Sequence, residues 1–223
     1  MALHFFEHKN YNIGQNPKNL VIFLHGYGAN GANLLDLAHE FQNVLPESHF
    51  ISPNAPQNWE GGFIDCYQWF SLANWGTERD PSKVAHDIKK ANENLRNFIN
   101  QQLKRFNLDY KNLFLAGFSQ GAMMAMYQGL TMPTKPAGII SFSGKLILPE
   151  FIGEKTIIKP EICLMHGKQD SVLPFSNFIE AEKILKTQNI PFESHAFENL
   201  DHTIDIHGVK TSMKFIEKKL KKL

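Results

Sequence analysis

The stretch Leu113 to Gly121, LFLAGFSQG, constrains this chain more than any other. Its first half is a continuous apolar run with the length of a buried strand. Its second half, Gly117-Phe-Ser-Gln-Gly121, is a G-x-S-x-G turn that passes straight into the helix-forming run Ala122 to Tyr127. Strand, sharp turn and helix in that order push Ser119 out at the tip of the strand. The positions flanking the turn must be nearly free of side chain, a need that Gly117 and Gly121 meet. The following helix aims its free N–H groups and the positive end of its dipole at the place where negative charge would develop. Ser119 is therefore the candidate nucleophile, and other residues must activate it.

A chain of 223 residues, 43% apolar and 20% charged, can bury a full core. One α/β domain spanning 1–223 is the expectation, since such folds often pass 200 residues undivided. A net charge of +1 gives no case for a nucleic-acid partner. Two cysteines, Cys66 and Cys163, form neither a disulfide framework nor a metal pattern, and Cys163 reads as a small buried residue. The first residues lack the basic-then-apolar order of a secretory signal, and no apolar run is long enough to span a bilayer. These features lead to the expectation of a cytoplasmic protein with reduced thiols.

Along the chain, strands are expected at 3–13, Leu20 to Leu24, His49 to Ser52, in the apolar run from Leu113 that ends in the serine turn, and at Ala137 to Phe142, Ile162 to Met165 and Pro191 to Phe197. Helices are expected at Gly31 to Val44, from Asp80-Pro81 to Phe106, in the run Ala122 to Tyr127, at Phe175 to Thr187 and at Asp205 to Leu223. Asp80 is the expected cap of the second, with the stripe Val84, Ile88, Ala91, Leu95, Phe98 along it. The alternation argues for a mostly parallel sheet covered by helices on both faces. Asn54 to Asn74 shows no period and carries Trp59, Phe63, Tyr67, Trp69 and Phe70. A loop that long usually has a task.

In an open α/β sheet, sites form beyond the carboxyl ends of the strands. Enzymes with a serine on such a turn present their partners in the order Ser, acid, His. Of the histidines that follow an eligible acid, His195 lies inside a strand pattern and His207 in a helical turn. His202 alone sits in a loop just past a strand end and is the candidate general base. Asp170, beyond the strand ending at Met165, is preferred as the acid over Asp201, which adjoins the histidine and points away from it in extended backbone. The oxyanion of an acyl-transfer intermediate needs N–H donors. Gln120 supplies one, and Tyr27, in the loop His25-Gly-Tyr-Gly28, the other. His25 itself reads as a structural hydrogen-bonding residue.

Gly26-Tyr-Gly28-Ala-Asn-Gly31 is also a G-x-G-x-x-G after a strand, the dinucleotide fingerprint. The acid wanted at the end of the next strand is missing from Phe50-Ile-Ser-Pro-Asn54, so the nucleotide-binding alternative is weak.

Leu24-His-Gly-Tyr-Gly28, Gly117-Phe-Ser-Gln-Gly121, His166-Gly-Lys-Gln-Asp170 and Leu200-Asp-His202 together resemble the phospholipase/carboxylesterase family of small α/β hydrolases. That family includes the acyl-protein thioesterases, and the likeness is greatest to its bacterial branch. The resemblance implies an α/β-hydrolase fold without a separate cap domain. It further implies a Ser119–Asp170–His202 triad, an oxyanion hole from the Tyr27 and Gln120 amides, no cofactor, no metal and often a homodimer. The implied substrates are esters or thioesters with short to medium acyl chains. Alternatives are a lysophospholipase, or a thioesterase acting on acylated proteins and long chains. Relatives often have Leu where Tyr27 stands and Asp where Ser71 stands, which bears on acyl preference.

The apolar segment Lys145 to Pro160 is too short for a cap. It suggests an open groove lined by Trp69, Phe70, Leu146, Ile147 and Leu148, with Val172 beside the acid. The null alternative is that these side chains simply pack loops down. Met123, Met124 and Met126 read as core filling, and Trp59 and Trp75 as anchors of the loop or flanks of the site. Lys218, Lys219, Lys221 and Lys222 complement the negative end of the last helix, with attraction to an anionic membrane as a lesser option. A serine peptidase and an inactive hydrolase-fold binding module are the remaining alternatives.

Overall fold

The computed structural model describes residues 3–8, 16–73, 80–148 and 158–221. Expectations for 9–13, Asn74, Trp75, 149–157 and Lys222 lie outside the described residues. The chain runs β1 (Phe5–His8), β2 (Asn19–Leu24), α1 (Ala32–Leu35), α2 (Leu37–Phe41), β3 (Ser48–Pro53), β4 (Gln57–Asn58) and β5 (Tyr67–Gln68). It continues with α3 (Pro81–Phe106), β6 (Leu113–Phe118), α4 (Gln120–Thr131), β7 (Gly138–Phe142) and β8 (Ile162–Gly167). The last elements are α5 (Ser176–Thr187), β9 (Phe192–Phe197) and α6 (Ile206–Leu220).

Among the described residues, seven strands form one sheet in the order β1-β3-β2-β6-β7-β8-β9. All neighbours are parallel except β1, which runs antiparallel to β3 at one edge. The central strands are apolar throughout because both their faces are covered. In β2, Leu20, Ile22 and Leu24 face a core shared with α3, α4 and α5, while Val21 and Phe23 face α1, α2 and α6. That two-residue alternation divides one apolar run between two cores. Each such side chain, fully buried, contributes about 1.5–3 kcal/mol.

Local chemistry sets the helix ends. Asp80 accepts a hydrogen bond from Ser82 N–H at 2.8 Å, with Pro81 in the first turn. Asp205 accepts from Gly208 N–H at 2.9 Å and starts α6. The single helix expected at Gly31 to Val44 is instead α1 and α2, broken at Asp36. No side chain caps either start, and three-residue turns such as His39 N–H to Asp36 C=O (3.1 Å) interrupt the ladder. Leu34, Ala38, Phe41 and Leu45 still reach the core. Much of the unperiodic segment after Asn54 stays irregular, held by the β4–β5 ribbon.

Lys218 Nζ donates to Glu193 at 2.7 Å and Lys219 Nζ to Glu161 at 2.8 Å. Those two lysines pair with carboxylates of this chain, so the membrane option loses half of its basic cluster. Among the described residues no helix is long and apolar enough to cross a membrane.

Candidate active site

The site forms beyond the carboxyl ends of β2, β6 and β8, with a fourth contribution from the loop after β9. Ser119 takes φ +54 and ψ −120 between β6 and α4, a conformation that L-residues with side chains adopt at a cost. Its N–H donates to Phe142 C=O at 2.9 Å, which ties the turn to β7. The two glycines of the turn are needed for close approach. A Cβ on Gly117 would lie 2.3 Å from the Gly121 carbonyl, and one on Gly121 only 1.9 Å from the Leu24 carbonyl. The start of α4 therefore rests directly on the end of β2.

His202 Nε2 is 3.0 Å from Ser119 Oγ, and His202 Nδ1 is 2.8 Å from Asp170 Oδ2. A carboxylate only accepts, so Nδ1 carries the proton and Nε2 is left to accept from the serine hydroxyl. The Asp170 side chain is completely buried. Its Oδ1 accepts from Val172 N–H (3.0 Å) and Leu173 N–H (2.7 Å), which fixes the carboxylate in its loop. The Phe118 ring lies 4.8 Å from the imidazole of His202. An imidazole held between a hydroxyl and a buried carboxylate can take the hydroxyl proton and be stabilised as the imidazolium.

Asp201 braces this arrangement. Its Oδ1 accepts from the Ser171 N–H and Oγ and from the His202 N–H, at 2.7–2.9 Å. These donors hold the Asp201 carboxyl below its ordinary range. The loop of Asp170 and the loop of His202 are thus stitched together by the residue rejected as the acid. Gly167 allows the same closeness, since a Cβ there would meet the Leu200 carbonyl at 2.1 Å.

Tyr27 lies in the loop after β2, and Gln120 directly follows Ser119. Gln120 is the first residue of α4, where a backbone N–H has no partner within the helix. Among the described residues neither the Tyr27 nor the Gln120 N–H donates to a backbone carbonyl. His25 is fully buried. Its Nδ1 bonds the Gly26 carbonyl at 2.7 Å and its Nε2 accepts from Ala55 N–H at 2.9 Å, so the proton sits on Nδ1. Burial pulls its pKa down to about 4, against the opposing pull of the Gly26 carbonyl. The structural role expected of His25 is what these contacts describe.

The glycines of the G-x-G-x-x-G stretch have local explanations. A Cβ on Gly26 would touch Phe118 and Ser119, Gly28 (φ +74) lies under the Trp59 ring, and Gly31 abuts the Ser52 carbonyl.

The expected groove lining needs correction. Trp69 and Phe70 have no exposed surface, and Leu146 and Ile147 are buried at 5% and 3%. Trp69 spends its donors inside the protein, the indole N–H on His25 C=O (3.0 Å) and the backbone N–H on Gln120 Oε1 (2.9 Å). Leu148 is half-buried and Val172 is exposed. Sequence reasoning also passed over Glu60. Its carboxylate accepts from Tyr27 Oη, from Ser71 Oγ and from the Leu72 and Ala73 amides, joining the Tyr27 loop to the segment after Phe70. Burial raises the Glu60 pKa, but these donors outweigh it and leave the group below its ordinary range. The Tyr27 phenol is pushed up to about 12 by burial and by that carboxylate. Nothing in the local pattern around Glu60 signals this.

Among the described residues, Cys163, Glu193 and His195 bring potential metal-ligating atoms together, on β8 and β9. Glu193 there already accepts from Lys218, and burial pushes the Cys163 thiol well up.

Comparison with known proteins adds independent support. Residues 11–220 match the model of the Phospholipase/Carboxylesterase family. Acyl-protein thioesterase 1 of Kluyveromyces lactis is 26% identical over 218 residues, covering 93% of this chain and 94% of that protein. Acyl-protein thioesterase 1 homolog 1 of Dictyostelium discoideum is 29% identical over 211 residues, covering 91% of each. The crystal structure of esterase PE8 superimposes with a TM-score of 0.85 at 31% identity, over 97% of this chain and 98% of that one. The sheet order, the serine turn and these matches agree: the chain is a hydrolase of the α/β-hydrolase fold and belongs to the phospholipase/carboxylesterase family.

Proposed function

We propose that this enzyme cleaves carboxylic esters or thioesters with short to medium acyl chains through an acyl-enzyme on Ser119. The observation that carries the reading is the chain of contacts from Ser119 Oγ to His202 (3.0 Å) to Asp170 (2.8 Å). His202 takes the hydroxyl proton as Oγ attacks the acyl carbonyl, and the Tyr27 and Gln120 amides hold the oxyanion. The tetrahedral intermediate collapses as His202 protonates the leaving alcohol or thiol. A water then gives its proton to His202 as it attacks the acyl-enzyme, and His202 returns that proton to Ser119 Oγ as the acid is released.

The acyl-protein thioesterases among the relatives favour thioesters and acylated proteins as substrates. The burial of Trp69, Phe70, Leu146 and Ile147 leaves little apolar lining for a long chain among the described residues, which favours shorter acyl groups.

A fluorophosphonate probe tests the nucleophile. Wild-type protein should be labelled on Ser119 and Ser119→Ala not at all; labelling that persists on another residue overturns the assignment. A series of p-nitrophenyl esters tests the chain length. kcat/KM should peak at short to medium acyl groups, and a steady rise to long chains would favour the lysophospholipase alternative.

A further inference from the structure

We propose that Trp69 is a positioning residue that sets the span of the oxyanion hole, by joining the two backbone segments that carry its donors. The proposal rests on the reading of the Tyr27 and Gln120 amides as those donors. The strand pairing between the two segments stops just before the hole, and from there they touch only by van der Waals contact. The β2–β6 ladder ends at the pair Leu24 and Gly117, and each donor lies three residues further on. Beyond that pair no strand pairing fixes the distance between them.

Trp69 bridges the gap from both of its ends. Its backbone N–H donates to Gln120 Oε1 at 2.9 Å, and the same Gln120 amide returns a hydrogen bond from Nε2 to Phe70 C=O at 2.7 Å. A side-chain amide held at both its oxygen and its nitrogen has no freedom to rotate, so the first residue of α4 is fixed against the 69–70 backbone. At the other end, the indole N–H donates to His25 C=O at 3.0 Å. The His25 ring holds the Gly26 carbonyl at 2.7 Å. Because the peptide is planar, fixing the Gly26 carbonyl fixes the Tyr27 N–H on its opposite side. One continuous path therefore runs from Gln120 through Trp69, His25 and Gly26 to Tyr27.

Gln120, Trp69, Phe70 and His25 are all at 0% exposure, so water does not compete for these bonds. Tryptophan suits the task because its only side-chain polar atom is a donor at the far end of a rigid frame. Phenylalanine would fill most of the space and make one end of the bridge silent.

The test replaces the indole N–H and nothing else, by site-specific incorporation of 3-benzothienylalanine at position 69, with Trp69→Phe alongside. kcat and KM are measured for p-nitrophenyl butyrate and its thionoester, whose sulfur accepts hydrogen bonds poorly and so depends less on the hole. Both variants should lose about 10- to 100-fold in kcat for the oxygen ester, with KM within about threefold, since a small displacement of a donor costs that much. The preference for oxygen ester over thionoester should drop by about tenfold, while phosphonate titration still finds one reactive Ser119 per chain. An unchanged kcat in the benzothienyl variant overturns the proposal. So does an equal loss on both esters, which would make Trp69 a packing residue only. Failure of the underlying reading looks different: the wild-type enzyme would itself show no preference for the oxygen ester, or would react with phosphonate away from Ser119.

Discussion

His166 Nε2 stands 3.2 Å from Asp170 Oδ2, the same carboxylate oxygen that His202 Nδ1 contacts at 2.8 Å. His166 is buried, and its Nε2 is also 2.9 Å from the Leu173 carbonyl. Its hydrogen bond goes to the Leu173 carbonyl, an acceptor, so the proton resides on Nε2, and the Asp170 carboxylate lies beside that N–H without being its hydrogen-bond acceptor. Leu173 closes the unit by donating its own N–H to Asp170 Oδ1. His166→Leu should lower kcat by about five- to tenfold, the scale of one lost neutral hydrogen bond that holds the Asp170–Leu173 loop in place. His166→Gln, which keeps a donor at a similar reach, should recover most of it. Steady-state kinetics on one ester decide, and a Gln variant as poor as the Leu variant would count against a hydrogen-bonding role.

Removing the charge of Asp170 without its shape is the sharper test of the proposed triad. Asp170→Asn presents an N–H or a C=O to His202 Nδ1 and no longer dictates which ring nitrogen is protonated. kcat should fall by roughly 10³- to 10⁴-fold. Asp201→Asn keeps one acceptor for the Ser171 and His202 donors and should cost far less. If the two variants were reversed in severity, the acid would have been misassigned.

His25 makes stability depend on pH in a definite direction. Its pKa falls from 6.5 to about 4 on folding because burial disfavours the imidazolium. Between those values the unfolded chain binds the extra proton, so the contribution is complete above pH 6.5 and is lost as pH falls towards 4. The pH-dependent part is on the order of 3 kcal/mol at most. Denaturant titrations at pH 7 and 4.5 should show a larger loss for the wild type than for His25→Asn. Parallel curves for the two proteins would show that the histidine is not held neutral.

Gly121→Ala should prevent the native fold or destabilise it by more than about 3 kcal/mol, because overpacked backbone cannot yield as a side chain does. The added methyl would sit 1.9 Å from the Leu24 carbonyl. Gly62→Ala is the control, with open space around its Cβ and only the strain of φ +81 to bear. Thermal midpoints of both variants provide the check.

What could be read in the sequence was what local chemistry decides. Ser119 announces itself by a strand, two glycines and a helix, while Asp170 and His202 follow from strand ends and chain order. The helix expected at Gly31 to Val44 breaks at Asp36 despite its apolar period, and the misread groove lining lies where no period exists. Trp69 and Phe70 sit in a segment without regular alternation, so nothing in the letters distinguishes an aromatic turned outward from one buried against Gln120 and His25. Asp201 was rightly set aside as the partner of the ring, yet its contact with Ser171 spans 30 positions and is visible only in three dimensions. Glu60 escaped for the same reason: its four donors lie 11 to 33 positions away. The fold class needed only alternation of element types, which is why it was legible throughout.

The imidazole that meets Ser119 arrives on the loop behind β9, an edge strand that pairs only with β8. During synthesis the hydroxyl and its turn can be in place while the ring is still to emerge, some 83 positions later. On the proposed triad, turnover requires β9 to be seated against β8, so recovery of hydrolysis after dilution from denaturant reports the seating of that edge strand and not collapse of the core alone.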